Sequence, residues 1–144
     1  MSPFYVFSEK LEKLNLKSLV VLTALDSAIG LGWDYLKLCG HCENLELCLI
    51  LSVSPLSPQN YLVNIVGLYV SVDENTQIDQ KITLLFKHAN YIVKQGRKVL
   101  FYVKRERLIG VYYTLCSSGE ANWTNYEYPS SEELEYVSEE EHYD

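Results

Sequence analysis

The chain has 144 residues, 48% of them apolar and 22% charged, with a formal net charge of −7. That is the length of one domain with the composition of an ordinary globular protein, which excludes a disordered chain, a collagen-like fibre and a coiled coil. No apolar run approaches the ~20 residues of a membrane span, and the apolar stretch at the N-terminus is too short for a secretory signal. No membrane association and a cytoplasmic or nuclear location are therefore expected.

Charge divides the chain. Residues 1–117 hold all twelve bases against ten acids, a net +2, whereas residues 118–144 hold nine acids and no base, a net −9. A near-neutral body lacks the basic surface that nucleic-acid binding needs, so no nucleic-acid partner is expected. The expected organisation is a single domain over 1–117 and an acidic C-terminal tail over 118–144. The tail also contains aromatic residues (Trp123, Tyr126, Tyr128, Tyr136), which suit docking on the body or on a partner.

In chain order, Glu9 to Leu16 predicts a short amphipathic helix, with Leu11 and Leu14 three apart. Leu19–Leu22 reads as a buried strand. Trp33–Leu38 reads as a helix that Gly40 ends. Leu45–Val53 reads as a central strand, and Ser54 to Asn60, with two prolines, as a loop. Tyr61–Val72 is β-branched and aromatic, a strand bent near Gly67. Apolar residues at helical spacing from Ile78 to Val93 predict a long helix over Gln77–Gln95, with cap chemistry from Thr76 and Asp79. Val99–Val103 reads as a strand. Leu108–Leu115 is either a buried helix or the second arm of a hairpin around Lys104–Arg107. The alternation predicts an α/β fold with a central, mostly parallel sheet flanked by helices.

Over residues 19–117 this order of elements resembles the dual-specificity protein phosphatases. Tyr69-Val70-Ser71-Val72-Asp73 stands where that family has a strand leading to an acidic general acid, and Lys98–Tyr102 where it has the strand feeding the phosphate loop. The resemblance places Phe101, Tyr102, Leu108 and Ile109 at the family's loop positions for His, Cys, Arg and Ser, and makes Asp73 a relic general acid. The family's chemistry needs a Cys thiolate and, six residues on, an Arg that forks onto phosphate. Six residues after Cys39, Cys42, Cys48 and Cys116 stand Leu45, Cys48, Ser54 and Asn122. The resemblance thus implies a pseudophosphatase, a non-catalytic binding or regulatory module acting through protein–protein contact.

Two other features carry chemistry. Cys39-Gly40-His41-Cys42 is similar to the active-site tetrapeptide of protein disulfide isomerases, which makes a thiol–disulfide oxidoreductase the alternative function. An unrelated α/β adaptor is a third reading. Lys104, Arg105 and Arg107 form the densest basic spot, a solvated turn or a binding site for an acidic segment. No spacing supports a metal site, and no cofactor is expected. The pure protein is expected not to hydrolyse an aryl phosphate. Turnover that a single substitution abolishes would refute this.

Overall fold

A computed structural model of the chain describes residues 5–6, 16, 18–58, 60–103, 105–116 and 121–141. Among the described residues, seven strands form one sheet: β1 (Tyr5–Val6), β2 (Tyr35–Cys42), β3 (Leu45–Ser57), β4 (Asn60–Asp73), β5 (Ala89–Gln95), β6 (Lys98–Val103) and β7 (Asn122–Glu127). Four helices among the same residues accompany them: α1 (Leu19–Gly30), α2 (Gln80–His88), α3 (Arg105–Leu115) and α4 (Ser131–Glu141). The strand order is β5-β6-β4-β3-β2-β7, every neighbouring pair is antiparallel, and only the two-residue β1 lies parallel, against the start of β4.

The expected mostly parallel α/β sheet is therefore overturned. Its cause is local. β2 and β3 form a hairpin with the register Cys42↔Leu45, β3 and β4 form another, and β5 and β6 a third around a turn at Gly96, whose φ is 62°. Short turns produce antiparallel neighbours, whereas a parallel sheet needs long crossovers.

Individual elements differ for identifiable reasons. Leu19–Leu22 opens α1, because Val21, Ala24, Leu25 and Ala28 are buried at helical spacing and Ser18 caps the first turn (Val21 N–H to Ser18 Oγ, 3.4 Å). Tyr35 to Cys42 is a strand: Leu36 and Leu38 are fully buried while Tyr35, Lys37 and Cys39 point the other way. Gly40 ends nothing. A Cβ there would come within 2.8 Å of the Asn122 carbonyl carbon and the Trp123 Cα, so its absence lets β7 approach at the bulge between Cys39 and Gly40. The predicted loop is mostly strand, with Pro55 accommodated beside the bulge between Pro55 and Ser57. The predicted long helix is α2, capped by Asp79 (Ile82 N–H to Oδ1, 3.0 Å), and then β5. Tyr91, Ile92 and Val93 belong to the strand, where β-branched and aromatic residues fit. Leu108–Leu115 is helical. The predicted Glu9–Leu16 helix lies, except for the buried Leu16, outside the described residues.

Two apolar layers result. α1, α2 and α3 cover one face of the sheet around Leu36, Leu47, Leu49, Leu51, Leu68, Val70 and Phe101. The second face carries Ile50, Val66, Tyr69 and Tyr102 beneath Val137 of α4. A bulge at Val66 (Ile50↔Gly67, then Leu51↔Ile65) changes the buried positions of β4 from odd to even. Residues 122–141, read from sequence as tail, supply an edge strand and the cover of the second face.

Gly40→Ala is expected to destabilise the protein by about 1–3 kcal/mol, because the backbone of β7 must move. Urea unfolding followed by tryptophan fluorescence would measure it. An unchanged midpoint would show that the close approach carries no energy.

Candidate functional site

The second face of the sheet and α4 enclose a groove of about 470 Å³. Its floor is set by strand register. Asn125, Cys39, Cys48, Tyr69, Tyr102 and Tyr91 are successive partners across β7, β2, β3, β4, β6 and β5, one continuous row spanning the sheet. Residues in such a row share a face. The tyrosines form a cluster: ring centroids are 5.0 Å apart for Tyr69–Tyr102 and 5.8 Å for Tyr91–Tyr102, and Tyr136 of α4 stacks on Tyr91 at 4.5 Å. Gly67 leaves the space that the Tyr102 ring fills, and the Tyr102 hydroxyl donates to the Val66 carbonyl (2.9 Å).

Glu133 fixes α4 over this row. Ser130 and Glu133 make a reciprocal capping box, with Ser130 N–H to Glu133 Oε1 at 2.9 Å and Glu133 N–H to Ser130 Oγ at 3.2 Å. The other carboxylate oxygen pairs with Lys37 Nζ at 2.8 Å, and Glu127 approaches the same ammonium at 3.3 Å. The Tyr69 hydroxyl donates to the Glu133 carbonyl (3.2 Å). Burial alone would lower the Lys37 pKa; the hydrogen bond and charge of Glu133 outweigh it and hold the ammonium well above the usual lysine value.

Charge in the groove is unevenly compensated. Glu46, Glu127, Glu132 and Glu133 face Lys37 and Lys98, a net −2. Lys98 is already paired with Glu46 at 2.8 Å, and Lys37 with Glu133 and Glu127. Glu132 accepts the Tyr136 hydroxyl (3.2 Å) and has no ion pair among the described residues. On the wall, the buried Ser71 hydroxyl has no hydrogen-bond partner among the described residues. The arrangement offers aromatic faces, surplus carboxylate and one unsatisfied hydroxyl.

Most residues singled out from sequence lie elsewhere; Tyr102, Cys39, Tyr128 and Tyr136 do not. Phe101 is in the first-face core, and Leu108 and Ile109 are on α3, Leu108 buried and Ile109 packed against that core. Tyr102 lines the groove as a buried structural phenol. Asp73 is the exposed last residue of β4, and its Oδ1 accepts the Asn75 N–H (3.2 Å) of the turn that follows; no helix starts there. Arg105 and Arg107 are on the first turn of α3, against the opposite face from the groove, and Lys104 lies outside the described residues. The tail meets the body at Lys37 instead. Cys39 and Cys42 face opposite sides of β2. Cys39 meets Cys48 with sulfurs 2.7 Å apart, whereas Cys42 donates to the Leu115 carbonyl (3.4 Å) beside Cys116. This geometry gives the tetrapeptide no local disulfide. The signal that could have found the site is Ser130-Ser131-Glu132-Glu133, a capping-box pattern ahead of Leu134 and Val137.

Glu133→Gln is expected to cost about 1–3 kcal/mol, because the half-buried Lys37 loses the nearer of its two charge partners and keeps only the exposed Glu127. Since the folded Lys37 pKa is raised, the stabilisation is complete below the unfolded lysine value and is lost as pH rises through the folded one. Hydrogen exchange over residues 131–138 would report it. Protection equal to that of the unsubstituted protein at neutral pH would show that the pair does not hold α4.

No helix among the described residues is long and apolar enough to cross a membrane. Comparison with protein-family models, with curated proteins and with solved structures gives no match.

Proposed function

We infer that the chain is a non-catalytic binding module whose groove takes a cationic segment of a partner protein. The observation that carries this is the stacked Tyr91–Tyr136 pair beside carboxylates that outnumber the lysines, both of which are already ion-paired. Ring faces attract a lysine or arginine head group, by about 0.5–2 kcal/mol depending on desolvation. Glu132 supplies the countercharge, and Ser71 a hydroxyl that a backbone amide or ammonium can satisfy. The same surplus of acid repels a phosphate backbone, which keeps nucleic acid out of the reading. The phosphatase-type loop gives no support to catalysis, since its positions are core residues.

The test is titration of the whole chain with fluorescent peptides of equal length, one Lys/Arg-rich and one Asp/Glu-rich. The basic peptide is expected to bind and to weaken with salt. Tyr91→Ala together with Tyr136→Ala is expected to reduce its affinity about tenfold, or ~1.4 kcal/mol. Equal binding of both peptides, or undiminished binding by the double variant, would refute the reading.

A further inference from the structure

We propose that Cys39 and Cys48 form a redox-active dithiol that is oxidised to an intramolecular disulfide by a small hydroperoxide. The two residues are direct partners in the β2–β3 register, and their sulfurs share a hydrogen bond at 2.7 Å. Directly opposite residues of an antiparallel pair have Cα atoms ~4.5 or ~5.5 Å apart, and both separations lie within the range a disulfide spans. Closing the bond therefore needs no strand movement. Both thiols are partly exposed, and Cys48 lines the groove.

Their surroundings assign the roles. Either thiol can donate to the other, and the Lys37 ammonium, two residues along the same face as Cys39, adds positive charge. The hydrogen bond first, and then Lys37, hold the Cys39 thiol below its ordinary value against the effect of burial. Cys48 is pushed the other way by that hydrogen bond and by burial. Cys39 is thus the attacking sulfur and Cys48 the resolving one. The second pair, Cys42 and Cys116, is buried in the first-face core, where burial raises the Cys116 thiol; it is protected and unreactive. Glu127 and Glu133 beside Lys37 disfavour an anionic oxidant such as glutathione disulfide, so the class favoured is a small neutral peroxide.

The chemistry balances. The Cys39 thiolate attacks a peroxide oxygen, the O–O bond breaks, and the departing oxygen takes a proton from solvent to leave as water or alcohol. Cys39 is then a sulfenic acid. The Cys48 sulfur displaces its hydroxyl, the S–O bond breaks, the S–S bond forms, and the Cys48 proton leaves with the hydroxyl as water. Two thiols lose two electrons and the peroxide gains them.

The experiment treats the whole chain with hydrogen peroxide, alkylates remaining thiols and measures mass before and after cleavage at glutamate. Cleavage after Glu43 and Glu46 places Cys39 and Cys48 on separate fragments. The expected result is one internal disulfide joining those fragments, lost in Cys39→Ser and in Cys48→Ser and retained in the double variant Cys42→Ser/Cys116→Ser. Glutathione disulfide at the same concentration is expected to react at least about tenfold more slowly. Four alkylatable thiols after peroxide, a bond mapping to Cys116, or bonds only between chains would overturn the proposal. So would glutathione disulfide reacting as fast as peroxide. None of these outcomes depends on whether the groove binds a peptide.

Discussion

One carboxylate organises the second half of this protein. Glu133 begins α4 by capping its own first turn, and with its other oxygen it binds the ammonium of Lys37 on β2. A cap is a local device and an ion pair a long-range one. Here they share a side chain, so the start of α4 and its position on the sheet are fixed together. Without that coupling, Val137 and Tyr136 would have no defined place over Tyr102 and Tyr91, and the sheet would present an open aromatic face. Exposed apolar area of that kind is uncommon on a soluble monomer. The contact is small, but together with the Tyr69 hydroxyl bond and the Tyr91–Tyr136 stack it makes α4 a wall of the groove.

The two faces of the sheet follow different rules. The first is aliphatic and closed by three helices, so its interior tolerates little polar chemistry; Cys42 and Cys116 are part of that packing. The second is aromatic, partly polar and covered by a single short helix. Alternation along each strand separates the two sets, and register lines them up across strands. Cys39, Cys48, Tyr69, Tyr102 and Tyr91 are scattered over a stretch of sequence whose ends, Cys39 and Tyr102, are 63 positions apart, yet they form one line because each is opposite the next.

Such lines explain what the sequence could and could not disclose. The strands over Leu45–Val53, Tyr61–Val72 and Val99–Val103 were legible from their β-branched and aromatic content, as was the bend near Gly67. Their direction was not, since direction depends on whether a connection is a turn or a crossover. The span from Gln77 to Gln95 was misread because Ala89, Ile92 and Val93 continue a helical spacing by coincidence, while Gly96 and Arg97 form a hairpin turn. Leu19–Leu22 was misread because its helical partners Ala24, Leu25 and Ala28 are small or lie beyond the run. Of the site, Tyr102 was singled out as a lost nucleophile, Tyr128 and Tyr136 as aromatic residues of a docking tail, and Cys39 as part of a tetrapeptide. Cys39 was paired with its neighbour in sequence instead of its neighbour across the hairpin. The acidic tail was visible in the charge count. Its role was encoded in Ser130 and Glu133 three residues apart, but the partner, Lys37, lies almost a hundred residues earlier and leaves no local trace.

The position of β7 and α4 has a consequence for how the molecule assembles. β2 pairs with β3 early in the chain, but its other edge waits for residues 122–127, and the tyrosine face waits for residues 131–141. Contacts of such sequence separation form late, after local hairpins and helices. During synthesis, the strands of β2, β3, β4, β5 and β6 can therefore exist with an unpaired edge and an uncovered aromatic face. The acidic helix α4 follows these strands in the chain and is the element that closes that face.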